Sequence, residues 1–226
     1  MKITALLPMK AHSERVPGKN FKILGHKPLF QWILDALLES DKISDVVINT
    51  DAQEELLQAG FSQYTTQGDR VTLRDRKPEL VGDFVSMNRI LEDDISATDA
   101  EVYLMTHVTN PFISSSTIDQ AIDAYMTNDA ADSVFSVNRF QTRFYSETGK
   151  PLNHDPNNLV RTQDLEPWYE ENSCLYIFSR DSFARTDARI GQHPVMFATP
   201  RFESVDIDEP EDWELAQILS TTMFKP

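Results

Sequence analysis

A mostly parallel, Rossmann-like α/β sheet with helices on both faces is the fold class this sequence predicts. Three observations carry it. Apolar strand-like runs alternate with amphipathic helix-like stretches, an order that suits a sheet covered on both sides. Apolar residues make up 40% of the 226 residues and are spread along the chain, enough for a sizeable core. No repeat, low-complexity tract or linker divides it, so residues 1–226 are read as one domain with an excursion at about 139–171.

Residues 3–8 (Ile3-Thr4-Ala5-Leu6-Leu7-Pro8) read as a first buried strand; the run is too short, and too soon followed by charge, to be a signal peptide. Leu29, Phe30, Ile33, Leu34, Leu37 and Leu38 then recur at helical spacing. Strands are predicted over 45–50, 101–106 and 133–137, and helices over 54–59, 85–95 and 115–126. The last of these starts in a serine-rich stretch offering several N-caps. After Asn138 the pattern breaks. Glu147-Thr148-Gly149-Lys150-Pro151 is a turn signal, and 153–171 is polar, proline-punctuated and rich in aromatics, as expected of a segment that covers a site or meets a partner. Strand pattern returns over 172–179, 195–199 and 204–208, and a helix over 211–223 closes the chain.

Acidic residues number 36 against 21 basic ones, a net charge of −15. That field repels nucleic acid and anionic membrane surfaces, so neither is an expected partner. No run of about 18 apolar residues is present to span a membrane. The single cysteine, Cys174, excludes an internal disulfide and sits in an apolar run as a buried thiol, which fits a cytoplasmic protein.

In open parallel sheets ligands bind beyond the carboxyl ends of the strands. Two constellations stand there. The loop Pro8-Met9-Lys10-Ala11-His12-Ser13-Glu14-Arg15-Val16-Pro17-Gly18-Lys19-Asn20 carries three cations after the first strand, which suits a triphosphate; it lacks the Walker pattern, and a solvated basic loop is the competing reading. Val205-Asp206-Ile207-Asp208-Glu209-Pro210-Glu211-Asp212 places two aspartates on one side of a strand, where oxygen ligands suit magnesium. Asp208 with Glu211 also resembles a helix N-cap and its capping-box partner.

With these motifs in view, the chain resembles the acylneuraminate cytidylyltransferases, enzymes that make CMP-activated sialic-acid-like sugars. Stretches 7–20, 76–86, 161–165, 172–178 and 206–216 match that family in order and spacing. The resemblance implies a cytidylyltransferase that transfers CMP from CTP to an acidic sugar, releases pyrophosphate, uses Mg2+ and forms a homodimer through the excursion. It implies Lys10, Ser13, Arg15, Lys19 and Asn20 around the nucleotide, with Lys10 and Lys19 acting on the reacting phosphates. Arg76, Lys77 and Ser86 fall in the stretch that receives cytosine and ribose. Asp206 and Asp208 would hold the metal, and His107, Thr109, Arg161, Gln163 and Asn172 fall on the acceptor side, Arg161 being the expected partner of the sugar's carboxylate.

The departures concentrate on that acceptor side. His107 stands in place of a glutamine, Ile113 in place of an arginine and Ser173 in place of a common glycine; Lys10-Ala11-His12 replaces an arginine and two glycines. Lysine neutralises phosphate without arginine's bidentate fork. Two other functions stay open on the sequence: a metal-dependent glycosyltransferase using Asp206-Ile207-Asp208, and a nucleotide-binding relative without activity.

Overall fold

The computed structural model describes residues 1–65 and 70–223. Nine strands are formed: β1 (Ile3–Leu6), β2 (Ile23–Leu24), β3 (Lys27–Pro28), β4 (Asp45–Thr50), β5 (Val71–Asp75), β6 (Val102–Thr106), β7 (Ser133–Phe140), β8 (Trp168–Ser179) and β9 (Pro194–Ala198). Between them run α1 (Leu29–Glu39), α2 (Gln53–Leu56), α3 (Ser62–Thr65), α4 (Met87–Ser96), α5 (Ser115–Met126), α6 (Arg180–Thr186) and α7 (Pro210–Thr222). Seven strands make one sheet in the order β5-β4-β1-β6-β8-β7-β9, and β2 pairs β3 in a small hairpin. Six of the seven run the same way; β8 is antiparallel to both β6 and β7.

Both sheet faces are covered because the central strands β1, β4 and β6 are buried on both sides. Ile3 and Ala5 of β1, Val46 and Ile48 of β4 and Leu104 of β6 pack with Ile33, Leu34 and Leu37 of α1 and Ile118 and Ile122 of α5. Leu6, Val47, Tyr103, Met105, Tyr176 and Phe178 look the other way, onto Leu91 and Ile95 of α4 and Phe183 of α6. Helix α5 is capped by the Ser114 hydroxyl, which accepts from the Thr117 amide at 3.2 Å. Helix α7 continues the first layer, burying Trp213, Ala216 and Leu219.

Two expectations change. Residues 204–208 form no ladder strand: Ser204 ends a turn and 205–208 carry no regular structure, Ile207 donates its amide to the Thr109 carbonyl (2.9 Å), and its buried side chain rather than strand pairing accounts for the alternation. Beyond it, α7 is capped by Glu209, whose carboxylate and that of Asp212 form a reciprocal capping box, so Asp208 is released from the capping role. Several elements go unread in the sequence, among them β5, a half-exposed edge strand, the β2–β3 hairpin, the short α3 and the seven-residue α6. No helix among the described residues is long and apolar enough to cross a membrane.

Candidate active site

At the carboxyl edge of β1, β4 and β6 the loops enclose a cleft of about 510 Å³. Its first wall is the loop after β1. That loop leaves the sheet beside β4, with the Leu7 and Met9 amides bonded to the Val47 and Asn49 carbonyls at 2.9 and 3.0 Å. Gly18 turns it in the left-handed region (φ 65°), a conformation that glycine adopts without strain, and a 3-10 turn over Lys19–Phe21 follows. The turn directs Lys19 and Asn20 inward, where both are buried. Asn20 donates to the Lys10 carbonyl at 2.9 Å, tying the two ends of the loop together.

The opposite wall is the stretch before α7. Asp206 and Asp208 both line the cleft. The Lys19 amine donates to the Ile207 carbonyl and lies 3.3 Å from Asp208, joining segments 188 residues apart in sequence. The Asp206 carboxyl is pushed above its usual range, first by burial, against a hydrogen bond from Thr109 and the charge of Lys19. One of its oxygens, Oδ1, is buried without a hydrogen-bond partner. A buried carboxylate oxygen left unpaired is costly unless something completes it. The described residues contain no cluster of three or more His, Cys, Asp or Glu side chains able to hold a metal. Two carboxylates nonetheless fit magnesium, which keeps waters and shares substrate phosphates.

The cations of the loop are already paired. Lys10 lies 2.5 Å from Asp83, and Arg15 reaches Glu209 at 2.8 Å and Asp208 at 3.2 Å. Sequence reasoning passed over Asp83 and Glu209 as counter-charges, since both lie far along the chain. Arg76 forms the floor. Its guanidinium donates to the Asn49 Oδ1 (3.0 Å), the Asn49 carbonyl (2.8 Å) and the Met9 carbonyl (3.0 Å), and burial pulls its pKa below the ordinary value. Asn49 in turn donates to the buried Asp94 at 2.7 Å.

His107, Thr109 and Ser13 line the cleft as well. His107 opens only partly onto it; the surrounding protein, and then the charge of Arg189, push its pKa down to about 4, so the imidazole is neutral near pH 7. Ser173 lies on the same wall with φ 58°, a left-handed conformation that glycine would adopt without strain.

Five of the residues expected here are placed elsewhere. Lys77 turns to Asp93 at 2.5 Å, and Ser86 sits at the N-cap of α4. Arg161 and Gln163 are exposed on the excursion, where Arg161 clamps Asp164 at 2.7 and 3.0 Å. Asn172 is buried and bonded to Asn138 (3.0 Å) and Thr199 (2.7 Å). His154, on the same excursion, meets the Tyr145 hydroxyl at 2.9 Å.

A seven-stranded α/β sheet whose carboxyl edge brings a basic loop against two carboxylates defines a nucleotide-binding protein of the Rossmann-like class. The chain belongs to the cytidylyltransferase family, whose model matches residues 4–223. It is 29% identical to an N-acylneuraminate cytidylyltransferase of Oncorhynchus mykiss over 95% of this chain and 49% of that protein. A pseudaminic acid cytidylyltransferase of Campylobacter jejuni is 25% identical, over 97% of this chain and 96% of the other. The chain thus spans about half the length of several N-acylneuraminate relatives and nearly all of the pseudaminic acid one. In structure it is similar to a CMP:2-keto-3-deoxy-manno-octonic acid synthetase complexed with CTP, with a TM-score of 0.68 at 15% identity over 98% of this chain and 99% of that one.

Proposed function

We propose that this chain transfers CMP from CTP to an acidic, sialic-acid-like sugar and releases pyrophosphate. The observation that carries the reading is the junction of Lys19 with Asp208, beside the buried and incompletely bonded carboxylate of Asp206. It joins a phosphate-type cation to a metal-type carboxylate pair at the edge where such sheets bind ligands. The relatives named for acylneuraminate and pseudaminic acid support the acid-sugar class.

On this reading Asp206 and Asp208 hold Mg2+, which when bound polarises the α-phosphate and lowers the pKa of the attacking sugar hydroxyl. Lys10, Arg15 and Lys19 neutralise the charge that builds on the departing pyrophosphate. Arg76, with its guanidinium held by three contacts, forms a rigid floor for the nucleotide. Transfer of this kind depends on positioning and charge rather than on a covalent nucleophile.

The reading includes a homodimer formed through the excursion. Tyr145, Leu159, Val160 and Tyr169 are exposed there, an apolar set that suits burial against a second copy and would carry Arg161 and Gln163 toward the partner's cleft. A cytoplasmic location accompanies it, since CTP and magnesium are supplied there.

The test is pyrophosphate release from CTP with Mg2+ across neuraminic, legionaminic, pseudaminic and 3-deoxy-octulosonic acids. Release with at least one acid and CTP, and little with UTP or ATP, is expected. Formation of a nucleoside diphosphate, or CTP binding without turnover across the panel, overturns the proposal.

A further inference from the structure

Arg189 lies between α6 and β9 and belongs to none of the motifs read from the sequence. Its guanidinium lies 3.9 Å from the centre of the Tyr176 ring, and Nη1 is 3.9 Å from the Met105 sulfur. Met105 and Tyr176 are register partners on β6 and β8, so the cation rests on the sheet at one defined place. That place adjoins the acceptor-side wall of the cleft. The Tyr176 hydroxyl reaches the Ser173 hydroxyl at 3.1 Å, and Met105 precedes His107 by two residues; Ser173 and His107 are both wall residues.

A guanidinium offers five N–H donors. Among the described residues none of those of Arg189 has an oxygen acceptor at hydrogen-bond distance. The nearest carboxylate oxygen, Oε1 of Glu171, is 3.8 Å away and already accepts the Tyr176 hydroxyl. The side chain keeps 23% of its surface exposed, beside the cleft rather than in its lining, and stacking on the ring fixes the plane in which its donors point. The charge of Arg189 also contributes to keeping His107 neutral, so its field extends to the wall.

We propose that Arg189 is a specificity-determining residue of the acceptor half-site, its guanidinium donating to an oxygen acceptor of the acid sugar: the carboxylate or an amide carbonyl on the ring. The assignment rests on the CMP-transfer reading of this cleft. It also separates two cations, since Arg161 is clamped by Asp164 within the chain while Arg189 meets its carboxylate, Glu171, only at 3.8 Å.

The experiment is steady-state kinetics of Arg189→Met and Arg189→Lys, with CTP and sugar varied in turn. The sugars are an N-acylated acid sugar and its counterpart carrying a hydroxyl in place of the amide. Losing a charged hydrogen bond should raise the sugar Michaelis constant about tenfold or more in Arg189→Met, with the CTP constant within about twofold and lysine restoring part of the loss. If the oxygen is the amide carbonyl, the preference of the unmutated protein for the N-acylated sugar collapses; if it is the carboxylate, both sugars weaken equally. Sugar constants unchanged for both acceptors overturn the proposal. So does a parallel loss for CTP with a lowered melting temperature, which marks Arg189 as structural. Failure of the CMP-transfer reading itself would show separately, as no pyrophosphate from the unmutated protein with any acid.

Discussion

Asn49 offers the sharpest test of how the cleft is held. It is fully buried at the end of β4, donates to Asp94 at 2.7 Å and accepts from the Arg76 Nε at 3.0 Å. Asp94 is also fully buried, and its Oδ2 has no partner, so the carboxylate has little in reserve. Asn49→Leu keeps the number and branching of side-chain heavy atoms and removes both interactions. Losing the amide's hydrogen bond to a carboxylate oxygen that keeps only Arg74, and leaving a guanidinium N–H unmet, cost about 1–3 kcal/mol each. Added apolar burial returns about 1 kcal/mol, for a net loss of about 3 kcal/mol. At roughly 2–4 °C per kcal/mol for a chain of this size, the melting temperature should fall by about 6–12 °C. Burial already pushes the Asp94 pKa up to about 6 against Arg74 and Asn49, and losing the amide donor pushes it higher. The variant's deficit should therefore be largest above pH 6 and shrink at pH 5, where Asp94 takes up a proton. Because Arg76 lines the cleft, the Michaelis constant for CTP should rise about threefold to tenfold. The assays are thermal melts at pH 5 and 8 and CTP kinetics at pH 8. A melting temperature within 1 °C of the parent at both pH values, with CTP kinetics unchanged, refutes the reasoning.

Asp206→Asn and Asp208→Asn should each reduce pyrophosphate release by about a thousandfold while melting near the parent temperature, because the α7 cap belongs to Glu209 and Asp212. Asp212→Ala, by contrast, should lower stability by about 1 kcal/mol in urea titrations. His107, with its pKa down to about 4 against an unfolded value near 6.5, binds a proton more readily in the unfolded chain. It therefore lowers stability as pH falls from about 6.5 toward 4 and has no such effect above; His107→Gln should flatten that decline in melts across the range. Lys19→Ala should shrink the rise in melting temperature that CTP and Mg2+ produce, and an undiminished shift would remove Lys19 from the phosphate site.

Strong periodicity made some of these elements legible. The strand Asp45–Thr50 and the helix Ser115–Met126 stand at their predicted bounds, because a β-branched apolar run (Val46-Val47-Ile48) and a capped amphipathic run each point to one structure. β5 (Val71–Asp75) escaped notice because an edge strand buries only half of its surface and its charged residues dilute the alternation. The cap of α7 was read one residue early since Asp208-Glu211 and Glu209-Asp212 share the same three-residue spacing, and only the backbone geometry separates them. In the cleft, the basic loop and the paired aspartates were visible as local motifs. Asp83, Glu209, Asn49 and Arg189 were not, because each acquires its meaning from a neighbour distant in the chain. Ser173 stood out only as a departure from glycine, and its positive φ supplies the reason.

The ion pairs of the first loop have a consequence for what the cleft admits. With Lys10 on Asp83, and Arg15 and Lys19 on Asp208, the basic loop is not a bare positive surface but one whose counter-ions are built in. An incoming polyanion trades places with carboxylates, so its gain is the difference between two sets of contacts. A single phosphate or sulfate can replace one of them and leaves the others where they were. A chain of phosphates can displace several together, and in taking Lys10 from Asp83 it detaches the stretch before α4 from the first loop. On the proposed reading, the arrangement favours a chain of phosphates over the small anions that a bare lysine-rich loop would gather.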